Sequence, residues 1–168
     1  MGRGTEDGVA IGPLINDAAV DKAAVLVDDA VSRGAVLETG GSRIDGSGSF
    51  YQPTVLSGVT AGSDILRQEI FGPVVTIVPF TDEADAVAKA NDTEYGLVSY
   101  VFTRDLARGQ RLIETLETGM MGLNVGVVSN AAAPFGGMKQ SGVGREGGFE
   151  GIHEYLETKY VLTPNPFG

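Results

Sequence analysis

The sequence predicts an α/β fold in which a layered sheet carries helices on both of its faces. Segments rich in β-branched residues alternate along the chain with segments whose apolar residues recur at helical spacing. Residues 74–78 form an almost unbroken β-branched run, which is typical of strands that a parallel sheet buries on both faces. The 25 glycines among 168 residues are about twice the average usage, and many fall between these segments, where turns are expected.

The first part of the sequence predicts a helix and two strands. Asn16 caps the first helix, because its side-chain oxygen can accept a hydrogen bond from a first-turn N–H, and Gly34 ends it. Strands are predicted at 35–39 and 51–56, on either side of a turn-rich surface loop at 40–49. The second strand is predicted to lie at a sheet edge, because Pro53 has no N–H for a central ladder. The inward residues of the first helix are predicted to be Val20, Ala24, Val27 and Val31.

The second half continues the alternation. Ser63 and Asp64 begin a short helix that runs to residue 68, and strands are expected at 74–78, 98–102 and 120–125. Asp82 and Asp105 cap two further helices, the second ending at Gly119. Their inward faces are Ala84, Val87 and Ala88 in one, and Leu106, Ile113 and Leu116 in the other. A helical stretch at 149–156 and a closing strand at 159–162 complete the chain.

Composition excludes several classes of function. Twelve basic against 22 acidic residues give a net charge of −10, which opposes binding to nucleic acid, because phosphate contacts require cations. The absence of cysteine excludes disulfides, CxxC zinc sites and thiol nucleophiles, and a catalytic triad would depend on His153, the single histidine, which is expected at the surface. No metal site is predicted. With no leader and no apolar run near the ~18 residues of a spanning helix, we expect a cytoplasmic protein without membrane contact.

Residues 142–147 match the pattern G-x-G-x-x-G of dinucleotide-binding folds. That mechanism requires the glycines to follow a strand, to open a helix, and to be followed by an acid about 20 residues later. Here residues 134–141 are predicted to form a loop, and the position 20 residues after Gly147 is Phe167. We therefore interpret the run as a tight loop that needs positive φ at several positions.

Three residues outside that run are candidates for a binding site. Glu69 stands directly before the strongest predicted strand, with Phe71 two residues later. It is either a solvated loop acid or a carboxylate that binds ligand hydroxyls beside an aromatic face. Phe135 stands between Pro134 and Gly136, where it either packs in the core or lines a pocket.

The chain resembles the NAD(P)-dependent aldehyde dehydrogenases in four stretches that keep the order and approximate spacing of that family. They are GPLI at 12–15, QEIFGPV at 68–74, YGL at 95–97 and PFGGMKQSGVGREG at 134–147. The resemblance covers residues 2–163. VVSN at 127–130 and KQSG at 139–142 are most similar to the succinate-semialdehyde dehydrogenases within the family. The resemblance implies that the chain is the C-terminal portion of an aldehyde dehydrogenase catalytic domain.

The resemblance also implies roles for six residues. Glu69 would bind the nicotinamide-ribose hydroxyls, with Phe71 and Leu97 beside the nicotinamide ring. For the aldehyde substrate, Phe135 would line the channel and Ser129 would bind the distal carboxylate of a semialdehyde. Glu146 would belong to a proton path. Residues 157–162 resemble the strand that joins a neighbouring subunit in the family, so a homo-oligomer is expected, with a partial catalytic domain at 1–156 and an oligomerisation strand and tail at 157–168.

The chain departs from the family in lacking the Rossmann half, the general-base glutamate and the cysteine nucleophile. We therefore expect a fragment that is inactive alone, and binding of NAD or NADP by this chain too weak to detect at millimolar cofactor. Two alternatives stay open: a non-catalytic interaction or oligomerisation module, and one chain of a split dehydrogenase. The residues that distinguish NAD from NADP would lie in the missing half.

Overall fold

The structure is a computed structural model that describes residues 1–165 and 168. The chain divides into two compact units, the first at residues 1–83 and the second at residues 84–168. Both contain helices and parallel strands, so the mixed α/β class that the sequence predicts is confirmed. The domain boundary at 156/157 stays a prediction.

The first unit packs one long helix against a three-stranded sheet. Helix α1 (Asp17–Ser32) leads into strand β1 (Val36–Thr39), followed by β2 (Thr54–Ser57), a 3-10 helix (Asp64–Leu66) and β3 (Val74–Ile77). The strand order is β1-β2-β3, with β1 antiparallel to β2 and β2 parallel to β3.

Helix α1 begins and ends where the sequence predicts. The Asn16 side chain accepts a hydrogen bond from the Ala19 N–H at 2.9 Å, which satisfies a first-turn donor. Gly34 follows the helix at φ 100°, in the left-handed region that favours glycine. The predicted inward face is partly wrong, because Val31 is exposed and Ala24 is half-buried. The buried stripe consists of Val20, Ala23, Leu26, Val27 and Ala30.

The hydrophobic core of the described residues lies entirely in the first unit. Its members come from α1, the sheet and the segments that flank them: Val20, Ala23, Leu26, Val27, Ala30, Ala35, Tyr51, Leu56, Val59 and Ile65. Ser63 precedes the 3-10 helix without a side-chain cap, and its hydroxyl lies 3.3 Å from that of Thr60 instead.

Two predictions about the first sheet are wrong. β2 is the central strand, not an edge strand, because it begins after Pro53, whose missing N–H therefore falls outside the ladder. β3 is not buried on both faces, since Val75 and Ile77 are 58% and 51% exposed. Val75 pairs with Val55, and Ile77 with Ser57, so the exposed side chains share the face opposite buried Thr54 and Leu56.

The second unit is built around a strand-helix-strand motif. Strand β5 (Val98–Val101), helix α3 (Leu106–Thr115) and strand β6 (Met120–Leu123) follow one another, and the two strands pair in parallel. The remaining elements are helix α2 (Glu83–Asn91), which begins at the unit boundary, the two-residue strands β4 (Tyr95–Gly96) and β7 (Met138–Lys139), which pair antiparallel, and a 3-10 helix (Glu150–Tyr155).

The cap of α3 is confirmed, because the Asp105 side chain accepts a hydrogen bond from the Arg108 N–H at 3.1 Å. The predicted inward faces are wrong at Ala84, Ala88, Leu106 and Ile113, which are exposed. Helix α3 instead contacts β6 through Gly109, where an added Cβ would lie 3.2 Å from the Leu123 side chain.

The last two predicted elements have different outcomes. The helical stretch at 149–156 is confirmed as the 3-10 helix. The closing strand at 159–162 is wrong for the chain by itself, because these residues join no ladder of the described part and are exposed. Tyr160 is 82% exposed and Leu162 is 80% exposed.

Candidate active site

Three residues that the sequence singles out line one cavity of about 400 Å³ in the second unit. Leu97, Phe135 and Glu146 come from two separate motifs and meet at this cavity. The wall also includes polar and aromatic side chains that the sequence reasoning missed, at Ser141, Arg145, Glu154 and Tyr155. Glycines complete it, at Gly136, Gly137, Gly142 and Gly144. Two of the missed residues, Ser141 and Arg145, stand within the 134–147 motif, so for these the family resemblance was the signal that could have found them.

Leu97 is held between β4 and β5. Its carbonyl accepts a hydrogen bond from the Met120 N–H at 3.2 Å, which extends the parallel β5–β6 ladder by one residue. Next to it, the Gly96 N–H donates to the Ser141 hydroxyl at 3.1 Å, which joins the 95–97 motif to the 134–147 motif. These contacts bring Leu97 to the cavity wall.

Phe135 and Glu146 form an isolated antiparallel bridge. The Phe135 N–H donates to the Glu146 carbonyl at 2.7 Å, and the Glu146 N–H donates to the Phe135 carbonyl at 2.8 Å. Directly opposed residues of an antiparallel pair carry their side chains on the same face. The aromatic ring and the carboxyl group are therefore presented together at the cavity, which combines an apolar wall with a polar acidic side chain.

The glycine run at 142–147 forms a tight loop, as the sequence predicts. Gly142 and Gly147 have φ values of 87° and 66°, and Gly148 follows at 58°. The run precedes a 3-10 helix rather than opening an α-helix, so it lacks the context of a dinucleotide fingerprint. His153 lies exposed in that 3-10 helix, as expected.

Glu69 and Phe71 lie in the first unit, in the segment that leads into β3. Both are exposed, and the Phe71 side chain is 83% exposed. Phe71 has φ 48°, a left-handed conformation that costs a residue with a Cβ about 1–2 kcal/mol. Backbone strain of this kind concentrates at functional sites, and the role of Phe71 stays a prediction.

Ser129 is exposed in the segment after β6 and is not part of the cavity wall. Its proposed contact with a substrate carboxylate stays a prediction. Nearby, the Asn130 side chain accepts a hydrogen bond from the Ala132 N–H at 3.0 Å, a local turn that shapes the approach to Phe135.

A second hollow of about 690 Å³ lies where β5 and β6 end. Its walls include Phe102, Arg104, Asp105 and Leu123, and none of the candidate residues. In this hollow Asp105 already caps α3. Within residues 1–165 and 168, no group of three or more His, Cys, Asp or Glu residues is arranged to hold a metal, and no helix is long and apolar enough to cross a membrane.

Comparison with known proteins identifies relatives along nearly the whole chain. The model of the aldehyde dehydrogenase family matches residues 1–161. The succinate-semialdehyde dehydrogenase of Paenarthrobacter nicotinovorans is 54% identical over 166 residues, which are 99% of this chain and 37% of that protein. The succinate-semialdehyde dehydrogenase [NADP(+)] of Escherichia coli (strain K12) is 48% identical over 161 residues, covering 96% of this chain and 33% of its own length.

The fold of the chain also matches the solved structure of a relative. The crystal structure of succinate-semialdehyde dehydrogenase from Burkholderia pseudomallei superposes with a TM-score of 0.89 at 50% identity. The match covers 92% of this chain and 32% of that one. The chain thus spans about a third of the length of the relatives that it matches.

Proposed function

Because the chain belongs to the aldehyde dehydrogenase family, whose members are oxidoreductases, we propose that it forms part of an NAD(P)-dependent dehydrogenase. Its substrate would be succinate semialdehyde or a similar semialdehyde, which the enzyme oxidises to the acid. The observation that carries this proposal is the cavity where Leu97, Phe135 and Glu146 meet. Two motifs that are distant in sequence supply one concave surface with apolar and acidic walls, as a small polar substrate requires.

In this proposal the second unit contributes the substrate side of the site. Phe135 lines the aldehyde channel, and Glu146, bridged to it through the backbone, is positioned to pass a proton toward solvent because its side chain is exposed. Ser129 would donate a hydrogen bond from its hydroxyl to the distal carboxylate of the semialdehyde.

The first unit would contribute contacts to the cofactor. The Glu69 carboxylate can accept hydrogen bonds from ribose hydroxyls, and the neighbouring Phe71 ring offers a solvent-facing apolar surface to a planar base. We assign these two side chains to one end of a dinucleotide. In the second unit, Leu97 is assigned to the nicotinamide ring by the family resemblance. When bound, NAD or NADP supplies the acceptor for the hydride. Two exposed side chains provide little binding energy, so we expect no calorimetric isotherm for this chain at millimolar NAD or NADP.

The 168 residues include no cysteine. If aldehyde oxidation proceeds through a thiolate adduct, as the family resemblance implies, the thiolate must come from outside these residues. We therefore propose that the chain does not turn over substrate by itself. It would work either as part of a longer polypeptide or beside a second chain that carries the thiol, in a cytoplasmic enzyme.

An activity assay tests the proposed function. The purified chain should show no absorbance change at 340 nm with succinate semialdehyde and NAD or NADP. A chimaera in which these residues replace the matching third of the Paenarthrobacter enzyme should be active with the same substrate. A folded chimaera without activity would contradict the proposed function. Turnover by the chain alone would contradict the proposal that the nucleophile comes from outside these residues.

Two variants of the chimaera test the residue roles. Glu69→Gln should raise KM for the cofactor by about tenfold or more, since a hydrogen bond to a charged group contributes about 1.5–3 kcal/mol. Phe135→Ala should raise KM for the aldehyde and leave the cofactor KM unchanged. Glu38→Gln, on strand β1, is the matched control and should change neither constant.

A second candidate function is that of an oligomerisation module, which the exposed terminal segment favours. Residues 157–162 are exposed and join no ladder within the described part of the chain, and they include Tyr160 and Leu162. An extended segment with free backbone donors can add to a sheet edge of another copy. We propose that the chain forms a homo-oligomer through this segment.

Light scattering after size exclusion tests the module. The chain should elute as a dimer or larger oligomer, and Val161→Asp should shift it to monomer while Thr158→Asp, closer to the start of the segment, has a smaller effect. This function would be refuted if the chain is monomeric at every concentration and does not bind a full-length relative.

A further inference from the structure

We propose that Arg145 is a positioning residue, whose guanidinium holds the loop at 136–145 so that Phe135 and Glu146 face the cavity together. Arg145 lies next to Glu146 in sequence, is half-buried and is part of the cavity wall. The inference depends on the proposed function only for the roles of Phe135 and Glu146. The geometry that it explains stands without them.

Three main-chain carbonyls surround a single nitrogen of Arg145. Its Nη1 donates to the Gly137 carbonyl at 2.8 Å, and to those of Val143 and Gly144 at 3.0 Å each. Gly137 lies on one side of the loop, and Val143 and Gly144 lie on the other. The guanidinium therefore joins the two sides of the loop. The planar group, which stays charged, is suited to holding several acceptors in fixed directions.

The main chain of Arg145 is anchored at the same time. Its N–H donates to Oε1 of Glu154 at 3.2 Å, which connects the loop to the 3-10 helix at Glu150–Tyr155. Gly137 is buried, so its carbonyl needs a donor within the protein. Arg145 supplies that donor, and it is the only cation in the cavity wall that the structure describes.

The loop leaves little room for another arrangement. A Cβ on Gly136 would lie 2.2 Å from the Gly144 carbonyl oxygen and 2.8 Å from Cδ of Arg145. The two sides of the loop are therefore in close contact around the arginine stem. The bridge between Phe135 and Glu146 closes the ends of the same loop. If the guanidinium is lost, we expect the carbonyls to separate and the bridge to open.

Hydrogen exchange on the intact 168-residue chain tests this. Arg145→Met keeps the apolar stem without any donor, and Arg145→Lys keeps a cation without the planar fork. In Arg145→Met the amides of Phe135 and Glu146 should exchange roughly tenfold faster or more, while in Arg145→Lys part of the protection returns. Amides of α3, in the same unit, serve as the internal reference, and Arg104→Met is the matched control.

Two results would overturn the proposal. If the amides of Phe135 and Glu146 exchange at the wild-type rate in Arg145→Met, the apolar stem of the side chain is sufficient and the guanidinium donors contribute nothing. Equal acceleration of the α3 amides would mean that Arg145 stabilises the whole unit rather than the loop. Neither result depends on enzymatic activity, so this experiment is separate from the test of the proposed function.

Kinetics of the chimaera give the second measurement. Arg145→Met should raise KM for the aldehyde and change the pH dependence of kcat, with KM for the cofactor unchanged, and Arg145→Lys should recover part of both effects. If an active chimaera carries Arg145→Met with wild-type kinetics, Arg145 does not position the site.

Discussion

Tyr51 keeps its hydroxyl in the core of the first unit, shielded from solvent and without a hydrogen-bond partner among the described residues. Burial raises the pKa of the Tyr51 phenol above its ordinary value, and the nearby Asp28 carboxylate raises it further. A raised pKa in the folded state stabilises the fold below the pKa of the unfolded chain, about 10, and this contribution is lost as the pH rises through the folded pKa.

Tyr51→Phe should therefore be at least as stable as wild type at pH 7, because it removes a buried polar atom that has no partner. It should also lose less stability than wild type above about pH 10, where ionisation of the phenol in the unfolded wild-type chain favours unfolding. Urea denaturation between pH 7 and pH 11 measures both effects, with half-exposed Tyr100→Phe as the control. Parallel pH profiles for wild type and Tyr51→Phe would contradict the prediction.

Asp29 connects α1 to the first residue of the 3-10 helix at Asp64–Leu66. The N–H of Asp64 donates to its Oδ2 at 2.9 Å, and Arg33 Nε donates to its Oδ1 at 2.7 Å. These two contacts, in that order, hold the pKa of Asp29 below its ordinary value. The stabilisation is present above the pKa of the unfolded chain and is lost as the pH falls through the lower folded pKa.

Asp29→Asn should lower the thermal midpoint at pH 7, and the difference from wild type should shrink below about pH 4 as the wild-type carboxylate is protonated. Asp28→Asn, exposed on the same helix, is the control. A difference from wild type that persists unchanged to pH 2 would show that the charge of Asp29 is not what matters.

At the scale of elements, the loop between Phe135 and Glu146 depends on a glycine without a Cβ. Gly136→Ala would place a methyl group 2.2 Å from the Gly144 carbonyl oxygen, so backbone must move. We expect a loss of more than about 2 kcal/mol in unfolding free energy. Gly126→Ala, where nothing lies within 4 Å, should be neutral in the same denaturation experiment. Equal stabilities of the two variants would contradict this account of the loop.

The elements that sequence predicted well are those with local causes. The caps at Asn16 and Asp105 each depend on one side chain and one amide three residues later. The sequence predicted poorly which apolar faces are buried, as the exposed side chains of Val75, Ala88 and Leu106 illustrate. An apolar pattern says that a face can be buried, but its partner may be any surface elsewhere in the fold, which periodicity does not identify.

At the scale of the whole molecule, burial is unequal between the two units. Every fully buried hydrophobic side chain in the described residues lies between Val20 and Ile65, and the fully buried positions of the second unit are glycines. Because local opening is cheapest where little apolar surface is buried, the second unit should open first.

Hydrogen exchange measured by mass spectrometry should place the slowest amides in α1 and β2, with β5 and β6 at least about tenfold faster. In the chimaera, the other two thirds of the Paenarthrobacter relative should slow exchange in β5 and β6 if they cover those faces. Equal protection of both units in the chain alone would contradict the unequal burial.

Several local features follow from the sequence alone: the helix caps at Asn16 and Asp105, the strand segments other than 159–162, the positive-φ glycines at 142 and 147, and the motifs that identify the family. Each depends on sterics or hydrogen bonds among residues a few positions apart. The tertiary structure was needed to establish that β2 is central, that the 159–162 segment is unpaired among the described residues, and that Leu97, Phe135 and Glu146 share a cavity from which Ser129 is absent. Those outcomes depend on contacts between distant segments, because a strand's neighbours and a cavity's walls are determined by which surfaces meet after folding.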